Sequence, residues 1–226
     1  MKLLAIDAAT EACSVALLVA DTVYERHVIS PRGHAQRLLT MVDEVTTDAG
    51  INLQSLDAIA FDRGPGSFTG VRIGTSVTQG LAFGADLPVI PVSSLGTIAQ
   101  GVWRESAQEQ VLSVIDARMG EVYWGYYKSK EGVMALQGTE YVSKAEAITP
   151  ASGEWYGAGT GWHAYSSILQ SAMQGKCVGL DTERLPQAVD ILALAKPRFE
   201  AREYVSADQA LPTYLRNEVA KKQSGV

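Results

Sequence analysis

Histidine and cysteine are scarce in this chain: three of the first and two of the second in 226 residues. His27, His34 and His163 include no pair four positions apart and no His-Glu neighbours, so the helical zinc motif of metallohydrolases is missing. Cys13 and Cys177 have no metal-type spacing, and Cys13 sits in an apolar strand-like run where a buried thiol is expected. There is no Gly-Lys-Ser/Thr phosphate loop, and the surroundings of Ser67 lack the Gly-x-Ser-x-Gly elbow of a serine hydrolase. No apolar run approaches the roughly 20 residues that span a bilayer. Met1 leads straight into Leu3-Leu4-Ala5-Ile6-Asp7 without a leader-like apolar region, and a reducing cytoplasm is the expected compartment. Nineteen basic residues face 25 acidic ones, for a net charge of -6. A general nucleic-acid binder needs a basic face, so any role on RNA is expected to need a partner.

What is present is a hydrophobic fraction of 46%, enough for a sizeable core. Leu3 to Asp7, Cys13 to Ala20 and Val23 to Ile29 read as a three-stranded meander. Ala35 to Ala49 carries Leu38, Leu39, Val42 and Val45 at helical spacing, with Gly50 just past its end. Strand, helix, strand and helix then follow at Leu56 to Phe61, Ser67 onward, Pro88 to Val92 and Ser94 to Trp103, which is the order of an α/β sheet. The second half restarts the pattern. Ile115-Asp116-Ala117 ends one strand and opens a turn into another from Glu121, as Ile6-Asp7-Ala8 does before Cys13; a duplicated unit and two coincidental hairpins both fit. Tyr123, Trp124, Tyr126 and Tyr127 crowd one strand, where core filling outweighs base stacking. Short helices are predicted at Ser143 to Ile148, Tyr165 to Met173 and Gln187 to Ala195.

The most specific segment is Gly64-Pro-Gly-Ser-Phe-Thr-Gly-Val-Arg-Ile-Gly74. Glycine opens backbone angles closed to other residues, and Ser67 is placed to cap the helix that follows. Gly66, Gly70, Gly74, Gly80 and Gly84 fall within roughly a 120° arc at about 100° per residue. Each internal glycine costs about 1 kcal/mol against alanine, so the arc implies close approach of another backbone: the protein's own sheet, or a partner subunit. An anion at the helix start is a further reading. Asp7 and Asp116 at strand ends, with Gly157 and Gly159 in Gly157-Ala158-Gly159-Thr160-Gly161, match the layout by which actin-like proteins hold a magnesium nucleotide between two lobes. The same residues also serve as turn caps and a helix start.

Leu4 to Thr10, His34 to Leu39, Arg63 to Gly74, Ile115 to Tyr123, Gly157 to Gly159 and Pro212 to Arg216 together resemble the TsaB (YeaZ) family, a subunit of bacterial tRNA threonylcarbamoyladenosine synthesis. The resemblance implies an α/β, duplicated RNase H-like (actin-like ATPase) fold of two lobes, 1–103 and a reduced 104–226. It implies a non-catalytic scaffold that activates the catalytic paralogue TsaD in threonylcarbamoylation of adenosine 37, in tRNAs reading codons that begin with A. TsaD carries a metal-binding His-x-x-x-His where this chain has Ser94 and Ile98, so no catalytic or metal residue is expected here. Self-pairing or pairing with TsaD is implied through the first two helices, with His34, Leu38, Val42, Ser67, Gly70, Arg72, Ile73, Gly74, Val77 and Leu81 as candidates. The ATPase TsaE joins the complex; ATP and magnesium belong to that complex, tRNA is met only through it, and the chain alone requires no cofactor. Asp62 departs from the family, where a small residue is usual. An autonomous ATP-binding enzyme or a metallopeptidase-like protein of the same superfamily is the alternative.

Overall fold

The computed structural model describes residues 1–29 and 34–216. Side-chain alternation builds its centre. In β1 (Lys2–Asp7) Leu4 and Ile6 point to one face and Leu3 and Ala5 to the other, and all four are fully buried. β1 pairs antiparallel with β2 (Ala12–Val19), which pairs antiparallel with β3 (Thr22–Ile29). After α1 (His34–Asp48), Gly50 takes a left-handed φ of 64°, closing the helix as its position predicts. β4 (Ala58–Asp62) joins β1 in parallel, α2 (Phe68–Ala85) follows, and β5 (Val89–Val92) completes a sheet of order β3-β2-β1-β4-β5.

The chain then passes through α3 (Ser94–Ser106) and repeats the topology. β6 (Gln110–Asp116), β7 (Glu121–Lys130) and β8 (Val133–Lys144) form the second meander, and β9 (Trp155–Ala158) and β10 (Cys177–Asp181) add in parallel, with α4 (Thr160–Met173) between them. The order β8-β7-β6-β9-β10 is that of the first sheet, so the two Asp-Ala hairpins are equivalent elements of a duplicated unit. The second unit is reduced: where the first has α1, it has one short 3-10 turn, Ala145–Ala147. The helix predicted over Ser143 to Ile148 is therefore absent, because β8 keeps pairing with β7 through Ser143 and Lys144. Trp124, Tyr126 and Tyr127 are buried core residues.

Helices layer the two sheets. α1 and α2 cover one face of the first sheet, and α4 covers the outer face of the second. Between the sheets lie α3 and α5 (Ala188–Glu200), whose Leu95, Ile98, Val102, Ile191 and Leu194 share one core with residues of both sheets. Asp190, buried on α5, pairs with Arg104 of α3 at 2.7 Å and locks the two helices together.

The expected boundary at 103/104 separates the sheets but does not separate the chain. α5 packs on β1, β2 and β4 of the first sheet, Val205 bridges to Val89 of β5, and Ala210 enters the core beneath α1 and α2. Part of the expected second lobe is thus physically first-lobe material; residues 217–226 of that span lie outside the described residues.

Candidate functional site

The glycine-rich run is held from four sides. Gly64 has a φ of 90°, its amide donates to Asp62 Oδ1 at 2.7 Å and its carbonyl accepts from Ser94 N at 3.2 Å. Arg63 N donates to Val92 O, and Thr213 N returns from the C-terminal segment to donate to Arg63 O, both at 2.8 Å. Ser67 N donates to Ala9 O at 2.7 Å, and its Oγ accepts from Gly70 N at 3.3 Å as the cap of α2. The amides of Ser67 and Gly70 at the start of α2 are thus both taken by acceptors of the protein itself. Replacing Ser67 with alanine removes one cap bond and is expected to cost about 1 kcal/mol, read as a lower urea midpoint; an unchanged midpoint would show that Ala9 alone holds this corner.

The five-glycine arc splits in two. A Cβ on Gly66 would stand 2.3 Å from Ala9 O, and one on Gly70 would stand 2.1 Å from Ala8 O; at Gly74 the nearest atom would be Ala8 Cβ at 3.7 Å. Gly80 and Gly84 have nothing within 4 Å. The close approach implied by the glycines is internal, against the end of β1. Gly70 and Gly74 are buried and cannot present a surface to a partner, which corrects the expectation that they form one.

Beneath this corner, Asp7 and Asp62 end the adjacent parallel strands β1 and β4. Both are buried, at 0% and 2% exposure. Asp7 accepts from Ala9 N at 3.0 Å and from Ser14 Oγ at 3.4 Å, while Asp62 Oδ1 accepts from Gly64 N and Ser94 Oγ. Burial pushes both carboxyls up. Asp7 rises well above the usual range, driven further by the charge of the adjacent Asp62; Asp62 rises to about 6 although the hydrogen bonds from Ser94 and Gly64 favour its charged form. A proton kept on Asp7 is the arrangement that avoids two adjacent buried charges. Two helices begin here: Ser94 opens α3, and Ala188 N at the start of α5 donates to Ser14 Oγ at 2.9 Å. Their positive ends favour the remaining negative charge. Asp62 thus ties β4, the glycine-rich run and α3 together.

These residues do not fit a magnesium nucleotide. Asp7 offers no open carboxylate, and among the described residues no hydrogen bond or ion pair joins it to Asp116. Asp116 lies at the other hairpin, where Oδ1 accepts from Arg118 N at 2.8 Å. A Cβ on Gly157 would meet Trp162 and Leu180 at 2.5 and 2.7 Å, and one on Gly159 would stand 2.4 Å from Val114 O, so internal packing accounts for both glycines. Ser94 and Ile98, in the positions expected to replace a histidine pair, are buried at 0% and 1%. Among the described residues no group of three histidine, cysteine, aspartate or glutamate side chains converges to hold a metal, and no helix is long and apolar enough to cross a membrane. Burial pushes the Cys13 thiol up to about 12, far from reactive.

The outer surfaces of α1 and α2 are different in kind. Leu38 and Val42 point into the core at 0% and 3% exposure, so they support this surface rather than form it. His34 is half-buried, Ser67 and Arg72 are exposed, and Ile73, Val77 and Leu81 are half-buried on the outer side. Phe68 (61%), Phe83 (83%) and Leu39 (50%) are exposed apolar residues that the sequence reading passed over as contacts. Ala35, Phe68, Thr69, Arg72, Ile73, Ser76 and Val77 line a groove of about 310 Å³ between the two helices. The signal lies in the phase: Leu38 and Leu39 stand about 100° apart around the helix, and of the two only Leu38 is buried in the core.

Comparison with known proteins agrees with this architecture. The family described as "TsaD: tRNA N6-adenosine threonylcarbamoyltransferase" matches residues 22–223. The tRNA threonylcarbamoyladenosine biosynthesis protein TsaB of Escherichia coli (strain K12) is 48% identical, covering 99% of this chain and 98% of its own length. Its namesake in Haemophilus influenzae is 41% identical over 99% and 97%. The solved structure described as YeaZ from Pseudomonas aeruginosa superposes with a TM-score of 0.89 at 48% identity, covering 95% of this chain and 99% of that one. Identity of this extent, over a duplicated sheet order and a glycine-rich corner that the fold builds around, places the chain in the TsaB (YeaZ) family of tRNA threonylcarbamoyladenosine biosynthesis proteins, within the actin-like superfamily.

Proposed function

We propose that the chain is a non-catalytic subunit that supports threonylcarbamoylation of adenosine 37 in tRNAs reading codons that begin with A. It acts by docking the outer face of α1 and α2 on the catalytic paralogue TsaD. The observation that carries this reading is the exposed apolar character of those helices: Phe68 lines the groove with Ile73 and Val77, and Leu39 and Phe83 stand half or more exposed elsewhere on the same two helices. Water-exposed aromatic and aliphatic side chains grouped on one face favour association. In this reading ATP and magnesium serve the assembly, with the ATPase TsaE as a third component, and tRNA is met only through the complex, as the net charge of -6 favours. The same face serves self-association, so a second copy and TsaD compete for it.

Reconstitution with purified TsaD, TsaE, tRNA and ATP tests the reading. Val77→Asp puts a charge into the groove and is expected to weaken association with TsaD more than tenfold, about the 1.4 kcal/mol or more of a central contact, and to lower modified nucleoside in parallel. Sedimentation gives the first quantity and nucleoside mass spectrometry the second. Unchanged association, or ATP or peptide turnover by the chain alone, would point instead to an autonomous enzyme.

A further inference from the structure

Arg72 is the one polar side chain in the groove that carries a full charge. Its Nε donates to Tyr214 Oη at 2.9 Å, its guanidinium carbon lies 3.3 Å from the centre of the Phe68 ring, and the Tyr214 ring is 5.3 Å away on the C-terminal segment. Thr213 N, bonded to Arg63 O, holds that segment in place. Arg26, Arg104, Arg184 and Arg216 each face a carboxylate, but among the described residues no ion pair includes Arg72. A stacked, hydrogen-bonded guanidinium has already lost much of its rotamer freedom, and with Nε engaged it presents its terminal nitrogens as a planar fork.

We infer that Arg72 takes a carboxylate of the docked partner protein, bidentate, and that this pair selects the partner within the α1/α2 groove; the inference rests on the docking reading above. The surroundings favour a protein carboxylate over a nucleic-acid phosphate. A phosphate backbone presents a row of charges and is met by a row of cations, whereas this groove offers one cation between Ala35, Phe68, Ile73 and Val77. A single acidic side chain beside apolar neighbours matches one arginine beside apolar walls.

The test measures association of the full chain with TsaD, and with itself, at low and high salt for the wild type, Arg72→Gln, Arg72→Lys and Val77→Asp. Arg72→Gln is expected to weaken binding about tenfold or more and to remove most of the salt dependence, as loss of one partner of a buried interface pair does. Arg72→Lys restores only part, since an ammonium has neither the fork nor the stacking. If Val77→Asp disrupts binding while Arg72→Gln matches the wild type in affinity and salt slope, the carboxylate inference falls and the docking face stands. If neither variant changes binding, the docking face falls first. Full recovery by lysine overturns the bidentate geometry. Loss of binding to a short RNA on Arg72→Gln, with protein association intact, reassigns the residue to phosphate.

Discussion

Gly70→Ala strips the protein of at least about 3 kcal/mol, the upper range of overpacking costs, while the same change at Gly80 or Gly84 adds up to about 1 kcal/mol. The two outcomes share one helix and one substitution, so propensity cancels. Alanine is the better helix former by about 1 kcal/mol at any interior site, and where nothing lies within 4 Å, as at Gly80 and Gly84, that gain is realised. At Gly70 the new methyl would meet the carbonyl oxygen of Ala8 at 2.1 Å. Neither side can yield cheaply. Ala8 directly follows the central strand β1, and α2 is tied to the neighbouring Ala9 carbonyl through Ser67 N. Urea melts of the three variants read the difference, and a Gly70→Ala midpoint equal to wild type would show that the corner breathes. Gly74, with Ala8 Cβ at an ordinary 3.7 Å, tolerates alanine.

Asp62→Asn flattens a loss of stability that the wild type suffers as pH rises. Asp62, at about 6 against an ordinary 3.8, and Asp7, raised well above that, both hold protons more tightly in the folded protein than in the unfolded chain. Folding therefore takes up protons, and stability falls with increasing pH. The contribution of Asp62 is complete below about pH 4 and is lost as pH rises through about 6, with Asp7 carrying the loss higher. At about 1.4 kcal/mol for each tenfold change in proton affinity, Asp62 alone accounts for something on the order of 3 kcal/mol. Asparagine keeps an acceptor for Gly64 N and Ser94 Oγ, offers Asp7 a donor, and removes the neighbouring charge. Unfolding free energies of both proteins at pH 4.5, 6 and 7.5 isolate the effect as a difference, because every other carboxylate is common to the two. Equal slopes for wild type and variant would show that Asp62 does not take up a proton on folding.

Much of the fold was legible because it is written locally. Alternation gave β1 to β3, helical spacing gave α1, and Asp7 and Asp116 marked the equivalent hairpins before any sheet order was known. β8 was not anticipated because most of its residues are exposed or half-buried and give no apolar alternation, and β10, at Cys177–Asp181, is only half-buried. The site was legible in its parts and not in their pairing. Glycine periodicity announced a close contact, but its other side, Ala8, lies far upstream and is brought there only by β1 and β4 pairing. Asp62 stood out as an odd residue; that its neighbour is Asp7 follows from strand register, which no local pattern encodes. The residues expected for a docking face on the first two helices included inward-facing ones such as Leu38 and Val42, since phase on a helix is fixed by the sheet it lies on.

The return of α5, Val205 and Ala210 to the first sheet has a consequence for synthesis. A nascent chain ending at Ser106 carries every strand of that sheet, yet β5 lacks its bridging partner, the start of α5 has not reached Ser14, and the core under α2 lacks Ala210. The first sheet is completed by segments that follow the second sheet in sequence, so the usual order in which a domain folds before its successor is made leaves this one without part of its packing.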